Sequence, residues 1–132
     1  MADIVTFGEV LMRLSTPGFG RFEQARQFNI TYAGGEANVA AALAYWGYST
    51  AHVTRFPDTP IGRAAAQYLR FHGEDIRHIL YGGERIAVYY LEPGTAMRPS
   101  QIVYDRYHSS FAELNPAELD WEAILKEAKW FH

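Results

Sequence analysis

Short apolar runs and longer amphipathic stretches alternate along the first half of this chain. Residues 4–7 are β-branched and aromatic and stop at Gly8, which predicts a buried strand. A helix is expected over 36–46, because Val39, Leu43 and Trp46 recur at i, i+4 and i+7, with Gly47 placed to close it in a left-handed conformation. A second apolar run at 50–56 predicts another strand. After it Ile61, Ala64, Ala65, Tyr68 and Leu69 form a helical stripe that ends before Gly73. Strand, helix, strand, helix implies an α/β fold with a parallel sheet and flanking helices.

The pattern then changes. Residues 76–80, 86–91 and 101–107 read as strands separated by turns at Gly82-Gly83 and Pro93-Gly94, without intervening helices. This predicts a separate small antiparallel piece, to which 28–32 is a candidate fourth strand. Helix signals return after Ser110: Asn115 can cap, Pro116 suits the first helical position, Glu118 sits three residues beyond the cap, and Leu114 and Leu119 have staple spacing. Asp120 is the expected cap of a helix over 121–129. Trp130-Phe131-His132 begins a further apolar strand, whose flanking partners would have to come from a longer protein.

Composition narrows the class. A chain of 132 residues has the length of one ordinary domain. With no cysteine it has neither disulfides nor thiolate metal sites, which suits the cytoplasm. His52, His72, His78, His108 and His132 lack the spacing of a zinc site. Twelve basic against 15 acidic residues give none of the basic excess of a nucleic-acid binder. Arg63, Arg70 and Arg77 recur every seven residues, but Gly73 interrupts them, so a solvated face is the simpler reading. No apolar run approaches the roughly 20 residues of a membrane helix, and the amino terminus lacks a signal-peptide pattern.

The chemistry-bearing segment is Tyr32-Ala33-Gly34-Gly35-Glu36-Ala37-Asn38-Val39-Ala40, which runs from a strand through two glycines into a helix. Glycines allow close backbone approach, and the free amides of a first helical turn attract polar or anionic groups. A small residue at Ala40 and, after six intervening residues, Gly47 complete a pattern that resembles the first signature of the PfkB (ribokinase-like) carbohydrate kinases. Residues 3–14 resemble the first strand of that family. Gly8-Glu9-x-Leu11-Met12-Arg13, Tyr89-Tyr90-Leu91-Glu92 and Val103-Tyr104-Asp105-Arg106 are most similar to its 2-keto-3-deoxygluconate kinases. One departure stands out: in Arg55-Phe56-Pro57-Asp58, Pro57 occupies the place of a family glycine and removes an amide donor.

The resemblance implies that residues 1–132 are the amino-terminal part of a ribokinase-like sugar kinase domain. Its β lid would use strands within 9–32 and 76–107, cover the sugar and often make a dimer contact. Gly34, Gly35, Asn38, Tyr90, Tyr104 and Arg106 are the implied substrate contacts. A sugar or sugar acid is the expected partner, with a homo-oligomer formed through the lid and neither nucleic acid nor membrane involved. ATP and Mg2+ would serve the intact enzyme, with none bound by this chain alone. The family's Gly-x-Gly-Asp stretch, which carries its catalytic base, has no counterpart here: none of Asp3, Asp58, Asp75, Asp105 and Asp120 directly follows a glycine. The chain alone is therefore expected to be inactive.

Strand geometry bears on the lid residues independently. Side chains at i and i+2 share a face about 6.6 Å apart, so Tyr104 and Arg106 point together, as do Ile86, Val88 and Tyr90. A hairpin bringing Tyr90 to the Tyr104/Arg106 side would converge two phenols and a guanidinium, groups suited to hydroxyls and to a carboxylate. The same residues are also ordinary choices for an exposed strand. Glu9 could face the pocket or pair with Arg13. Trp46, Trp121, Trp130, Tyr45 and Tyr48 read as packing aromatics.

Overall fold

The computed structural model describes residues 2–132 and contains two sheets that share a core. Four strands form the first: β1 (Ile4–Phe7), β4 (Thr50–Phe56), β5 (Ile79–Tyr81) and β8 (Trp130–Phe131). Their order is β5-β4-β1-β8 and every pairing is parallel, Ile4 standing opposite both Thr50 and Trp130. The second sheet, in the order β3-β2-β6-β7, comprises β2 (Leu11–Ser15), β3 (Asn29–Ala33), β6 (Val88–Glu92) and β7 (Gln101–Asp105). Helix α1 (Gly35–Tyr45) lies over β1 and β4, α2 (Pro60–Phe71) packs on β4, and α3 (Trp121–Leu125) packs against the opposite face through Ile124.

Two sequence expectations change at the level of sheets. The third apolar run belongs to the parallel sheet: β5 starts at Ile79, later than expected, and pairs with β4. It completes a β4-α2-β5 crossover, the connection that parallel neighbours require. The second sheet is also mixed, not purely antiparallel, because β2 pairs parallel with β6 while β2-β3 and β6-β7 are antiparallel.

The helices form where their signals lie, with different buried faces. Gly47 and Gly73 both adopt φ of +90° after α1 and α2, the backbone region that glycine reaches without strain. Thr59 caps α2 through Gly62 N, with Pro60 at the first position. Helix α1 fully buries only Ala37 and Ala40; of the expected stripe, Leu43 is half-buried while Val39 and Trp46 turn outward, Trp46 being 75% exposed. Tyr45, Tyr48 and Trp130 are exposed as well, so these four aromatics do not pack in the core. The reason lies below α1: its floor is Thr6 and His52, and small alanines let the helix come close to it. Trp121 does pack, edge-on against Phe7 and Phe131. Past Ser110 the expected first helix is only a 3-10 turn, Pro116–Glu118, capped by Asn115; α3 ends at Leu125, short of the expected 129.

One apolar cluster joins the two sheets. Val10, Phe56, Leu69, Ile79, Ile86 and Val88 meet beneath Met12, Leu14, Tyr32 and Tyr90 of the second sheet's inner face. That burial fixes the second sheet over the carboxy end of β1, leaving its other face to look across the amino end of α1.

Candidate functional site

A cleft of about 610 Å3 opens between the carboxy end of β1, the amino end of α1 and the free face of β6 and β7. Its walls include Gly8, Glu9, Gly34, Gly35, Glu36, Asn38, Tyr89, Ile102, Tyr104 and Arg106. This is where ligands gather in open α/β folds.

The two glycines have different reasons. A Cβ on Gly34 would lie 2.4 Å from the Glu9 carbonyl oxygen, so its absence lets α1 start against β1. A Cβ on Gly35 would meet nothing within 4 Å, and that position faces the cleft. Asn38 sits one turn into the helix, its amide donating to the Gly34 carbonyl at 2.8 Å, and its side chain lines the cleft.

Across the cleft, register decides which tyrosine participates. Tyr89 stands opposite Tyr104, and Tyr90 opposite Val103. The Tyr89 and Tyr104 rings are 5.8 Å apart, and the Arg106 guanidinium is 5.9 Å from the Tyr104 ring centre. Tyr90 points the other way, into the shared core, with Phe28 5.7 Å from its ring. The expectation that Tyr90 joins Tyr104 and Arg106 is therefore corrected: the structure brings Tyr89 there. Alternation alone separates Tyr89 from Tyr90 but does not say which faces the ligand; the register does.

Glu9 pairs with Arg106, not with Arg13. One carboxylate oxygen is 2.5 Å from Arg106 Nη2, the other accepts from Ser109 Oγ at 2.5 Å, and the side chain is only 6% exposed. Arg13 instead donates through Nε to Thr31 Oγ1. Glu36 was not foreseen as a wall residue; its carboxyl lies against Gly8, where a Cβ would fall 2.2 Å from its Oε2. The cleft thus carries two carboxylates and one guanidinium.

Below the floor, His52 ties β4 to β1. Its Nε2 is 3.2 Å from the Gly8 carbonyl and its Nδ1 is 2.6 Å from Thr6 Oγ1. Burial pushes its pKa down to about 4, outweighing the opposite pulls of the Gly8 carbonyl and of Glu36. The ring is neutral at pH 7. A carbonyl can only accept, so Nε2 carries the proton and Nδ1 accepts from the Thr6 hydroxyl. This fixed pair of bonds holds the Gly8-Glu9 corner.

No group of three or more His, Asp or Glu side chains able to hold a metal occurs among the described residues. No helix among the described residues is long and apolar enough to cross a membrane. Pro57 is buried, and Gly62 sits where a Cβ would come within 2.0 Å of its carbonyl; Asp58 is engaged by Arg63 at 2.5 Å.

The model of the pfkB family carbohydrate kinases matches residues 1–132. Among relatives, a 2-dehydro-3-deoxygalactonokinase of Haloferax volcanii is 38% identical over 99% of this chain and 41% of its own length. A crystal structure of a 2-dehydro-3-deoxygluconokinase from Thermotoga maritima is 48% identical, with a TM-score of 0.97 over 100% of this chain and 40% of that one. A 2-dehydro-3-deoxygluconokinase of Thermoproteus tenax is 28% identical over 100% of this chain and 41% of its own length. The chain spans about 40% of the length of these relatives.

Proposed function

Because the chain belongs to the pfkB family of carbohydrate kinases, we propose that it forms the substrate-recognising part of an ATP-dependent kinase acting on a sugar acid such as 2-keto-3-deoxygluconate. The observation that carries this is the convergence of Tyr89, Tyr104 and Arg106 on the amino end of α1, within one cleft. Phenols can exchange hydrogen bonds with sugar hydroxyls while their rings cover the carbon skeleton. The guanidinium keeps donors beyond the one given to Glu9, and the open amides of the first helical turn favour negative charge. Relatives whose names specify keto-acid sugars support the acid.

In this reading Gly35, Asn38, Tyr89, Tyr104 and Arg106 orient the sugar and exclude water, with Gly34 setting their spacing. ATP supplies the phosphoryl group in the intact enzyme, where positioning and charge stabilisation dominate the barrier. None of the five aspartates of this chain directly follows a glycine, as the catalytic base of the family's Gly-x-Gly-Asp stretch does, so this chain alone is expected to be inactive; steady ADP production that depends on the keto acid would refute that. The second sheet acts as a lid and as the surface for homo-oligomer formation.

A neutral sugar is the second reading, favoured by one observation: Glu9 already neutralises Arg106, and Glu36 adds a further negative charge. Calorimetric titration of this chain with 2-keto-3-deoxygluconate and with fructose separates the two. Saturable binding of the acid, lost in Arg106→Ala and not matched by fructose, is the expected result. Equal or stronger binding of fructose overturns the acid assignment. Binding of neither by the folded chain removes the claim that the site is assembled here.

A further inference from the structure

A second cavity, of about 160 Å3, lies between α1 and α2 beneath β3. Its walls are unusual for a gap between packed helices. Tyr32 and Tyr68 stand with ring centres 5.4 Å apart, and the His72 ring meets Tyr68 at 4.6 Å. Glu74 is 4% exposed, and its Oε2 has no hydrogen-bond partner. No ion pair reaches it: among the described residues the arginines and lysines in salt bridges are committed to Asp3, Asp58, Asp75, Asp105 and Glu9. A buried carboxyl without a partner is costly, and burial raises its pKa to about 8. Aromatic rings and an unpartnered buried acid lining one cavity are the recognition chemistry of a cation.

We propose that this cavity is a binding site for a small primary alkylammonium ion, its N–H groups donating to Glu74 and its carbons lying against Tyr32 and Tyr68. The Asn38 side chain lines this cavity as well as the larger cleft and offers a second acceptor at the boundary of the two. The site shares Asn38 with the cleft but none of Tyr89, Tyr104 and Arg106, and its test uses no sugar, so it can fail without touching the sugar assignment.

The titratable groups lining the cavity with Glu74 are Tyr68 from α2, His72 just past its end and Tyr32 from β3; α1 contributes no titratable side chain, only Ala37, Asn38 and Ala41. Burial raises the Tyr32 pKa above its usual 10, so it stays neutral. An ammonium must meet an ionised Glu74, so binding below pH 8 releases a proton, and affinity falls about tenfold for each pH unit below that value.

The test is calorimetric titration of the chain with propylammonium chloride at pH 6.5, 7.5 and 8.5 and constant ionic strength, repeated in buffers of different ionisation enthalpy. The expected result is one saturable site that tightens with pH and releases about one proton at pH 6.5. Tetramethylammonium, a cation without N–H donors, should bind at least tenfold more weakly. Glu74→Gln, the neutral isostere, should lose at least tenfold in affinity and lose the Glu74 part of the pH dependence. Absence of saturable binding overturns the proposal, as does equal affinity in Glu74→Gln. Proton release is read on the unaltered chain, so a variant that failed to fold would still leave a decision: binding without proton release at pH 6.5 places the ion elsewhere and overturns the assignment.

Discussion

Adjacent tyrosines make the sharpest test at the scale of single residues. Tyr89 faces the cleft and Tyr90 the core, so their hydroxyls should differ in consequence although their sequence context is nearly the same. Tyr89→Phe is expected to weaken ligand binding by about 1 kcal/mol, several-fold in affinity, the net value of one hydrogen bond. Tyr90→Phe should leave binding unchanged; titrating both variants with the same ligand checks it, and a reversed order would refute the register. The glycines give a second pair. Gly34→Ala drives a methyl to 2.4 Å from the Glu9 carbonyl, while the Gly35 position is open. Thermal melts should show Gly34→Ala destabilised by about 2 kcal/mol or more and Gly35→Ala within about 0.5 kcal/mol of the parent. The double glycine was legible in the sequence as a ligand motif. That one glycine serves packing and the other the cleft required knowing where the Glu9 carbonyl lies, a contact made across 25 residues.

At the scale of elements, the apolar periodicities placed the first helices and strands because each is a local rule of 2.0 or 3.6 residues. They could not say what each face meets. Helix α1 carries an apolar stripe, Val39, Leu43 and Trp46, but its sheet-facing side is the alanine side, because the strand residues beneath are Thr6 and His52 instead of aliphatics. The sheet that β5 joins is hidden from the local pattern for a related reason: strand propensity is local, whereas its partner β4 is chosen by the α2 crossover. The outward turn of Trp46 has a measurable consequence. Trp46→Gln should change the melting free energy by less than about 0.5 kcal/mol, as surface substitutions do. Since its near neighbours Tyr45 and Tyr48 are exposed as well, the substitution should also reduce self-association. Light scattering over a dilution series reads the second effect; a large loss of stability would mean that Trp46 is a core residue after all.

For the whole molecule, two buried titratable groups on either side of α1 pull stability in opposite directions with pH. His52 has its folded pKa lowered from 6.5 to about 4 by burial. Its contribution is present above pH 6.5 and is lost as pH falls toward 4, because the unfolded chain then binds the extra proton. Glu74 has its folded pKa raised from 4.5 to about 8, again by burial. The unfolded chain releases that proton near pH 4.5 while the folded chain keeps it, so stability falls as pH rises from 4.5 to 8 and levels off beyond. Between pH 4.5 and 6.5 the two slopes nearly cancel; from 6.5 to 8 only the Glu74 slope remains. The chain should therefore be nearly constant in stability across the lower window and lose about 2 kcal/mol across the upper one, at roughly 1.4 kcal/mol per pH unit. Replacing Glu74 by Gln removes the carboxyl that must stay protonated. Glu74→Gln should be more stable than the parent at pH 8 and show no decline from 6.5 to 8, with the His52 decline exposed below 6.5. Urea melts of both proteins from pH 4.5 to 8.5 measure this directly. Parallel curves for the two proteins would mean that Glu74 is ionised in the folded chain, with a compensating charge beside it in solution.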